Sequence, residues 1–88
     1  MQPAVAFGRV LRRLRQKRGL TQEGLGLEAD LRRTFISVLE LGQQQPTLTT
    51  ILKLAKVLEV KPSRILDLVE REIQEFSGGG SRNGARPN

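Results

Sequence analysis

The chain contains no cysteine, histidine, tryptophan or tyrosine, and its aromatic residues are three phenylalanines. Each absence removes a class of chemistry. Without cysteine there is neither a disulfide framework nor a thiol nucleophile, and without cysteine or histidine the usual zinc-ligand sets are missing. Imidazole acid–base catalysis goes with them. Serines and carboxylates are present, but no base, metal set or phosphate-cradling glycine loop is arranged around them. The sequence therefore does not read as an enzyme, and no metal, cofactor or small-molecule ligand is expected. No apolar run approaches the roughly 20 residues that span a bilayer, so no membrane partner is expected. The opening Met1 to Arg9 lacks the charged leader and long apolar stretch of a secretory signal, which makes a cytoplasmic location the expectation.

What is present is length for one small core and an excess of positive charge. The 88 residues suit a single domain, and 15 Lys and Arg against nine acids give a net charge of +6. The distribution matters more than the sum. Residues 1–39 hold eight bases and three acids, whereas residues 40–76 hold five bases and six acids. Such a one-sided field suits a surface that displaces counterions from phosphates.

Helical periodicity runs through the chain, with no alternating strand pattern and no internal repeat. Ala4 to Arg18 reads as a first helix with Phe7, Leu11 and Leu14 on its inner face, ended by Gly19. A second helix starts after Thr21, whose hydroxyl can cap the first turn, and ends at Ala29. Asp30 makes a tight turn and Leu31 drops into the core. A third helix, Arg33 to Glu40, turns Ile36 and Leu39 inward. Gly42 and Pro46 mark the loop that follows. Thr47 caps a fourth helix, Leu48 to Leu58, whose inner stripe is Leu48, Ile51, Leu52, Ala55 and Leu58. Pro62 opens a fifth, which keeps apolar spacing through Ile65, Leu66, Val69, Ile73 and Phe76. The expected fold is all-α, a compact five-helix bundle over residues 1–76, with a flexible Gly-rich tail over residues 77–88.

The second and third helices, joined by so short a turn, form a helix-turn-helix. In that motif the second helix lies in the major groove of double-stranded DNA with its N-terminal residues against base edges. The outer face of this helix carries Arg33, Thr34, Ser37 and Val38, which are the expected base readers. Arg33 places a cation at a helix N-terminus, where it opposes the local dipole, and an external partner resolves that misfit. An exposed Val38 fits a thymine methyl group. Arg12, Arg13, Lys17, Arg18 and Arg32 are candidate contacts to the DNA backbone, the alternative being a merely solvated face.

Three stretches make the pattern more specific: Gly8 to Glu23, Ile36 to Glu40 with Gly42, and Pro46 to Val60. In order and spacing they resemble the XRE family, the lambda-repressor-like helix-turn-helix domains, and within it the small controller proteins of restriction-modification systems. The resemblance spans most of residues 7–68. It implies that Gln22 opens the first motif helix against a phosphate and braces a base-contacting side chain. It also implies a buried ion pair between Arg15 and Glu40 that ties the first helix to the third. The sequence departs from the family at Asp30, where glycine is usual, and at Gly24 and Gly26, inside a helix that normally carries better helix formers. Gly26 suits a close helix crossing, while nothing in the sequence explains Gly24. Leu41 replaces a polar residue, and Gln43 to Gln45 replace loop bases.

Leu54, Val57, Val69, Ile73 and Phe76 exceed what one small core needs. Either the fifth helix, about 22 Å long from Pro62 to Phe76, folds back and buries them, or they form a two-fold homodimer interface. The second alternative is the expectation, with two recognition helices about 34 Å apart on a roughly palindromic operator. The function expected is that of a sequence-specific transcription regulator. The alternative is a protein-interaction module, such as an antitoxin or adaptor, with secondary DNA contact.

Overall fold

Each helix starts and stops where a particular side chain or a restricted backbone makes it do so. In the computed structural model, which describes residues 1–77, the order is α1 (Pro3–Lys17), α2 (Gln22–Ala29), α3 (Arg33–Glu40), α4 (Leu48–Leu58) and α5 (Pro62–Ser77). No strand occurs among the described residues. Thr21 caps α2, its Oγ1 accepting from the Gly24 N–H at 2.9 Å, and Thr47 caps α4 by accepting from the Thr50 N–H at 3.1 Å. Asp30 and Glu59 close α2 and α4 in the left-handed conformation, at φ 58° and 60°. Aspartate enters that region more readily than glutamate. The last helix runs one residue past Phe76, to Ser77, the first residue of the expected tail; the rest of that tail, residues 78–88, lies outside the described residues.

All five helices contribute to one core. Phe7, Val10 and Leu11 of α1, Leu25 and Ala29 of α2, Ile36 and Leu39 of α3, Leu54, Ala55 and Leu58 of α4, and Ile65 and Val69 of α5 are buried together. Each large side chain among them contributes roughly 1.5–3 kcal/mol by leaving water. The first helix packs against both α3 and α5, and α2 packs against α3 and α4.

The packing of α4 differs from the sequence expectation. Leu48 and Leu52, assigned to the core, are 69% and 48% exposed, whereas Leu54, assigned to a dimer interface, is 0% exposed. Two faces of this helix have apolar residues at helical spacing, and the one bearing Thr50, Leu54, Ala55 and Leu58 is turned inward. Thr50 can lie there because its hydroxyl accepts from that of Thr47 at 3.1 Å.

The fifth helix is corrected in the same sense. Val69 is buried in the core, and Val57 and Ile73 are half-buried against it. Phe76 is exposed, but the Arg9 guanidinium stands 4.4 Å from its ring centroid. Glu72, one turn before Phe76, is only 3% exposed and pairs with Arg13 and, at 3.6 Å, with Arg9. The distal half of α5 thus folds back on α1 of its own domain.

Two glycines, Gly8 and Gly26, mark where backbone meets backbone. A Cβ on Gly8 would lie 2.5 Å from the Leu39 carbonyl oxygen and 2.6 Å from that of Glu40, so α1 crosses the end of α3 backbone to backbone. A Cβ on Gly26 would lie 2.6 Å from the Leu31 carbonyl oxygen. Gly24 has a milder reason: its Cβ would stand 3.2 Å from the Thr21 hydroxyl that caps its own N–H. We expect Gly8→Ala to lower stability by about 1–3 kcal/mol, since backbone cannot move aside as a side chain can. Glu59→Gly should raise it by about 1 kcal/mol through relief of the left-handed backbone. Urea unfolding of the two variants checks both signs.

Candidate nucleic-acid interface

Eight residues of α3 place two side chains, Ile36 and Leu39, wholly in the core. The helix enters from Asp30, whose left-handed backbone lets the Leu31 N–H reach the Gly26 carbonyl at 2.8 Å. Arg32 occupies the cap position in an extended conformation and makes no capping hydrogen bond. On the outer side Arg33 and Thr34 are exposed, while Ser37 and Val38 are half-buried. Phe35 is half-buried and packs on the core margin. The four expected readers are therefore brought to one face, with the two nearest the N-terminus projecting farthest.

The base of this face is fixed by charged groups. Arg15 Nε donates to Glu40 Oε2 at 2.6 Å, and its Nη2 donates to Glu40 Oε1 at 3.0 Å, a two-point pair between α1 and α3. The Arg15 and Glu40 side chains are 11% and 5% exposed. The third guanidinium nitrogen donates to the Leu20 carbonyl at 2.9 Å, in the turn that leads into α2. The Glu40 hydrogen bond pushes the Arg15 pKa further above its ordinary value, with burial opposing and the charge of Glu40 reinforcing the shift. Gln22, half-buried at the head of α2, donates from Nε2 to Glu40 Oε1 at 3.0 Å. One carboxylate thereby joins three helices.

The other basic residues expected at the DNA divide into two sets. Arg13 is committed to Glu72, and Arg18 to Glu59 at 3.2 Å. Arg12, Lys17, Arg32 and Arg33 are exposed and have no ion-pair partner among the described residues. Of the candidate backbone contacts, then, Arg12, Lys17 and Arg32 are uncommitted. The loop glutamines Gln43, Gln44 and Gln45 are also exposed, directly after α3.

Two features escaped the reading of the sequence. Glu72 sits among charged residues that look solvated, and its partners lie 59 positions away for Arg13 and on another helix, so no local pattern signals its burial. The link from Gln22 to Glu40 likewise spans 18 positions. A capping motif declares itself within four residues; these contacts do not.

The profile of the helix-turn-helix family matches residues 11–65, which takes in α2, α3 and α4 entire, the C-terminal part of α1 and the first turn of α5. The chain belongs to that family. The match bears out the resemblance to the XRE type. Among proteins of known identity, the chain is similar to the control protein C.BamHI of Bacillus amyloliquefaciens, 42% identical over 62 residues that make up 69% of this chain and 76% of that protein. It is similar also to the control protein C.MunI of Mycoplasma sp, 32% identical over 69 residues, covering 77% of this chain and 93% of that one. Among solved structures it resembles the restriction-modification controller protein C.AhdI from Aeromonas hydrophila, with a TM-score of 0.69 and 40% identity, over 70% of this chain and 94% of the other.

The two sets of arginines separate in a stability measurement. Arg13→Ala should cost about 1–3 kcal/mol, because the buried Glu72 carboxylate loses a charged hydrogen bond. Arg12→Ala should stay within about 0.5 kcal/mol of the unaltered protein. Thermal melts of both variants in one buffer make the comparison.

Proposed function

We propose that this helix-turn-helix protein is a sequence-specific, double-stranded-DNA-binding transcription regulator that acts as a homodimer on a roughly palindromic operator. The observation that carries the reading is the outer face of α3. It presents an exposed arginine and threonine at the N-terminal end of a helix whose orientation is fixed by close backbone contact and a buried ion pair. That is the end which meets base edges when such a helix lies in the major groove. Arg33 is the side chain suited to the O6 and N7 acceptors of guanine, Thr34 serves either kind of base, and Val38 suits the thymine methyl group. Arg12, Lys17 and Arg32 would contribute phosphate contacts that set register without reading sequence. The similarity to proteins described as restriction-modification controllers supports the same reading.

The homodimer needs a surface other than the one the sequence suggested, since Leu54 and Val69 are spent on the core. Leu48 and Leu52 stand one turn apart on the exposed side of α4, and Leu66 is 50% exposed on α5. Apolar side chains of this size on adjoining helices suit a self-complementary contact, and a second subunit doubles the DNA surface that one small domain offers.

Three outcomes are expected. Arg33→Ala should lose about 1–3 kcal/mol of discrimination between a selected site and unrelated duplex. Arg12→Ala or Lys17→Ala should weaken both equally and reduce the salt slope by about one. Selection from a randomised duplex pool, followed by titration across ionic strength, provides the data, and equal losses for all three variants would remove Arg33 from the readers. For the dimer, Leu48→Glu combined with Leu52→Glu should give a folded monomer in sedimentation at micromolar concentration. Sedimentation of the unaltered protein as a monomer would refute the two-fold model.

A further inference from the structure

We propose that Leu41 is a base-reading residue: it extends the reading face of α3 by one turn and packs on the 5-methyl group of a thymine in the major groove. The inference rests on the DNA-binding reading above and adds a reader to Arg33, Thr34, Ser37 and Val38. Its basis is the place of Leu41 on the helical track. The Leu41 N–H donates to the Ser37 carbonyl at 3.0 Å, as in an uninterrupted α-turn, and the residue stays right-handed at φ −80° and ψ −4°. At about 100° per residue, seven residues bring Leu41 back to within about 20° of Thr34, and Val38 lies within about 60° of both. Leu41 is 65% exposed, so a leucine stands in water on the face that meets bases. The chain turns directly after it. Gly42 is left-handed at φ 73°, its N–H reaching the Leu39 carbonyl at 3.1 Å, and the Gln43 N–H reaches that of Val38 at 3.1 Å. A Cβ on Gly42 would lie 2.8 Å from the Val5 Cα, so α1 backs the turn that carries Leu41.

The surroundings of Leu41 select its partner. Between Thr34 and Leu52 the only charged residue is Glu40, and its carboxylate is tied to Arg15 at 2.6 and 3.0 Å. This end of the reading face therefore offers phosphates no cation, and a leucine there gains on meeting DNA by burying apolar surface. Among the groups that base pairs present in the major groove, the apolar one is the thymine 5-methyl. A leucine tip against it takes two apolar surfaces out of water, whereas the same tip against the nitrogen and oxygen acceptors of other bases strips them of water without replacing a hydrogen bond. The reach also fits. The eight residues of α3 span about 12 Å, and the major groove is about 12 Å wide, so both ends of this helix fit inside it. Leu41 lies about 10 Å beyond Thr34 along the axis, a separation of up to about three base-pair steps.

A methyl contact is detected by deleting the methyl and the leucine, separately and together. Sites are selected from a randomised duplex pool by the unaltered protein, and each thymine of the selected site is replaced in turn by deoxyuridine, which keeps the hydrogen-bonding groups and lacks only the 5-methyl. At one thymine of a half-site the replacement should weaken binding by the unaltered protein about 4-fold, the worth of one buried methyl. For Leu41→Ala the same replacement should change affinity less than about 1.5-fold, because the two deletions remove one and the same contact. Leu41→Met keeps an apolar tip of similar size and should keep the dependence. Leu41→Ala should leave the thermal melt and the sedimentation of the protein unchanged, since the side chain is exposed in the domain. Three results would overturn the proposal: no thymine at which methyl dependence vanishes with Leu41, a loss from Leu41→Ala that is equal on thymine and deoxyuridine duplexes and so marks a sugar contact, or a loss accompanied by slower sedimentation, which marks a contact between subunits. A folded chain that binds no duplex at low salt would overturn the DNA-binding reading itself and this inference with it, whereas binding without methyl dependence overturns the inference alone.

Discussion

The close passage of α1 over the end of α3 is the constraint on which the rest of the molecule depends. A helix of eight residues with two wholly buried side chains is too short to fix its own orientation by packing, because a short helix gains little from its own hydrogen bonds and takes its stability from its neighbours. Here the missing constraint is supplied twice from α1. Gly8 lets the two backbones meet at the Leu39 and Glu40 carbonyls, and two turns further on Arg15 grips the Glu40 carboxylate. The first contact sets how closely the two helices approach, and the second holds them together by charge and hydrogen bonds. Direct readout needs side chains held to within about half an ångström of the productive geometry, and these contacts restrain α3 from two points.

The boundaries of the helices were legible because the signals that set them are local. Thr21 and Thr47 announce caps, Gly42 and Pro62 announce an end and a beginning, and Asp30 is among the few residues that turn left-handed without glycine. The facing of α4 was not legible. Leucine or isoleucine occupies positions 48, 51, 52, 54 and 58, so two different stripes have helical spacing and the periodicity selects neither. What decides between them is tertiary: α2 must rest on this helix, and Thr50 can enter the core only because Thr47 satisfies its hydroxyl. The choice of stripe then moved the exposed leucines, and with them the surface available to a second subunit.

The same limit explains the reading of α5. Its apolar spacing continues to Phe76, which from sequence alone looks like an uncovered surface. Glu72 marks where it is covered: its ion pairs hold this part of α5 on α1, while Phe76 beyond it stays exposed beside the Arg9 guanidinium. A carboxylate removed from water is costly unless it is paired and hydrogen-bonded, and the arginines that pair with it come from the first helix, 59 and more positions away. In sequence those arginines were indistinguishable from the ones that remain uncommitted, because charge counts by position and not by partner. A basic half-domain therefore overstates the field it projects. Arg13, Arg15 and Arg18 are each satisfied internally by an acid, and the outward field comes from a smaller set.

That division of labour bears on specificity. If every cation on the basic half pointed outward, binding would be dominated by the counterion term, which is indifferent to sequence and raises affinity for all DNA together. Internal pairing removes several charges from that term without removing the arginines, which become the ties that hold α5 and α3 to α1. What remains unpaired on this half lies on α1, at Arg12 and Lys17, and at the entry to α3, where Arg32 and Arg33 sit beside Thr34. The ratio of specific to nonspecific affinity, more than affinity itself, decides whether a regulator finds one site among many. Under the proposed function, spending arginines on the fold leaves the side chains proposed to read bases a larger share of the total.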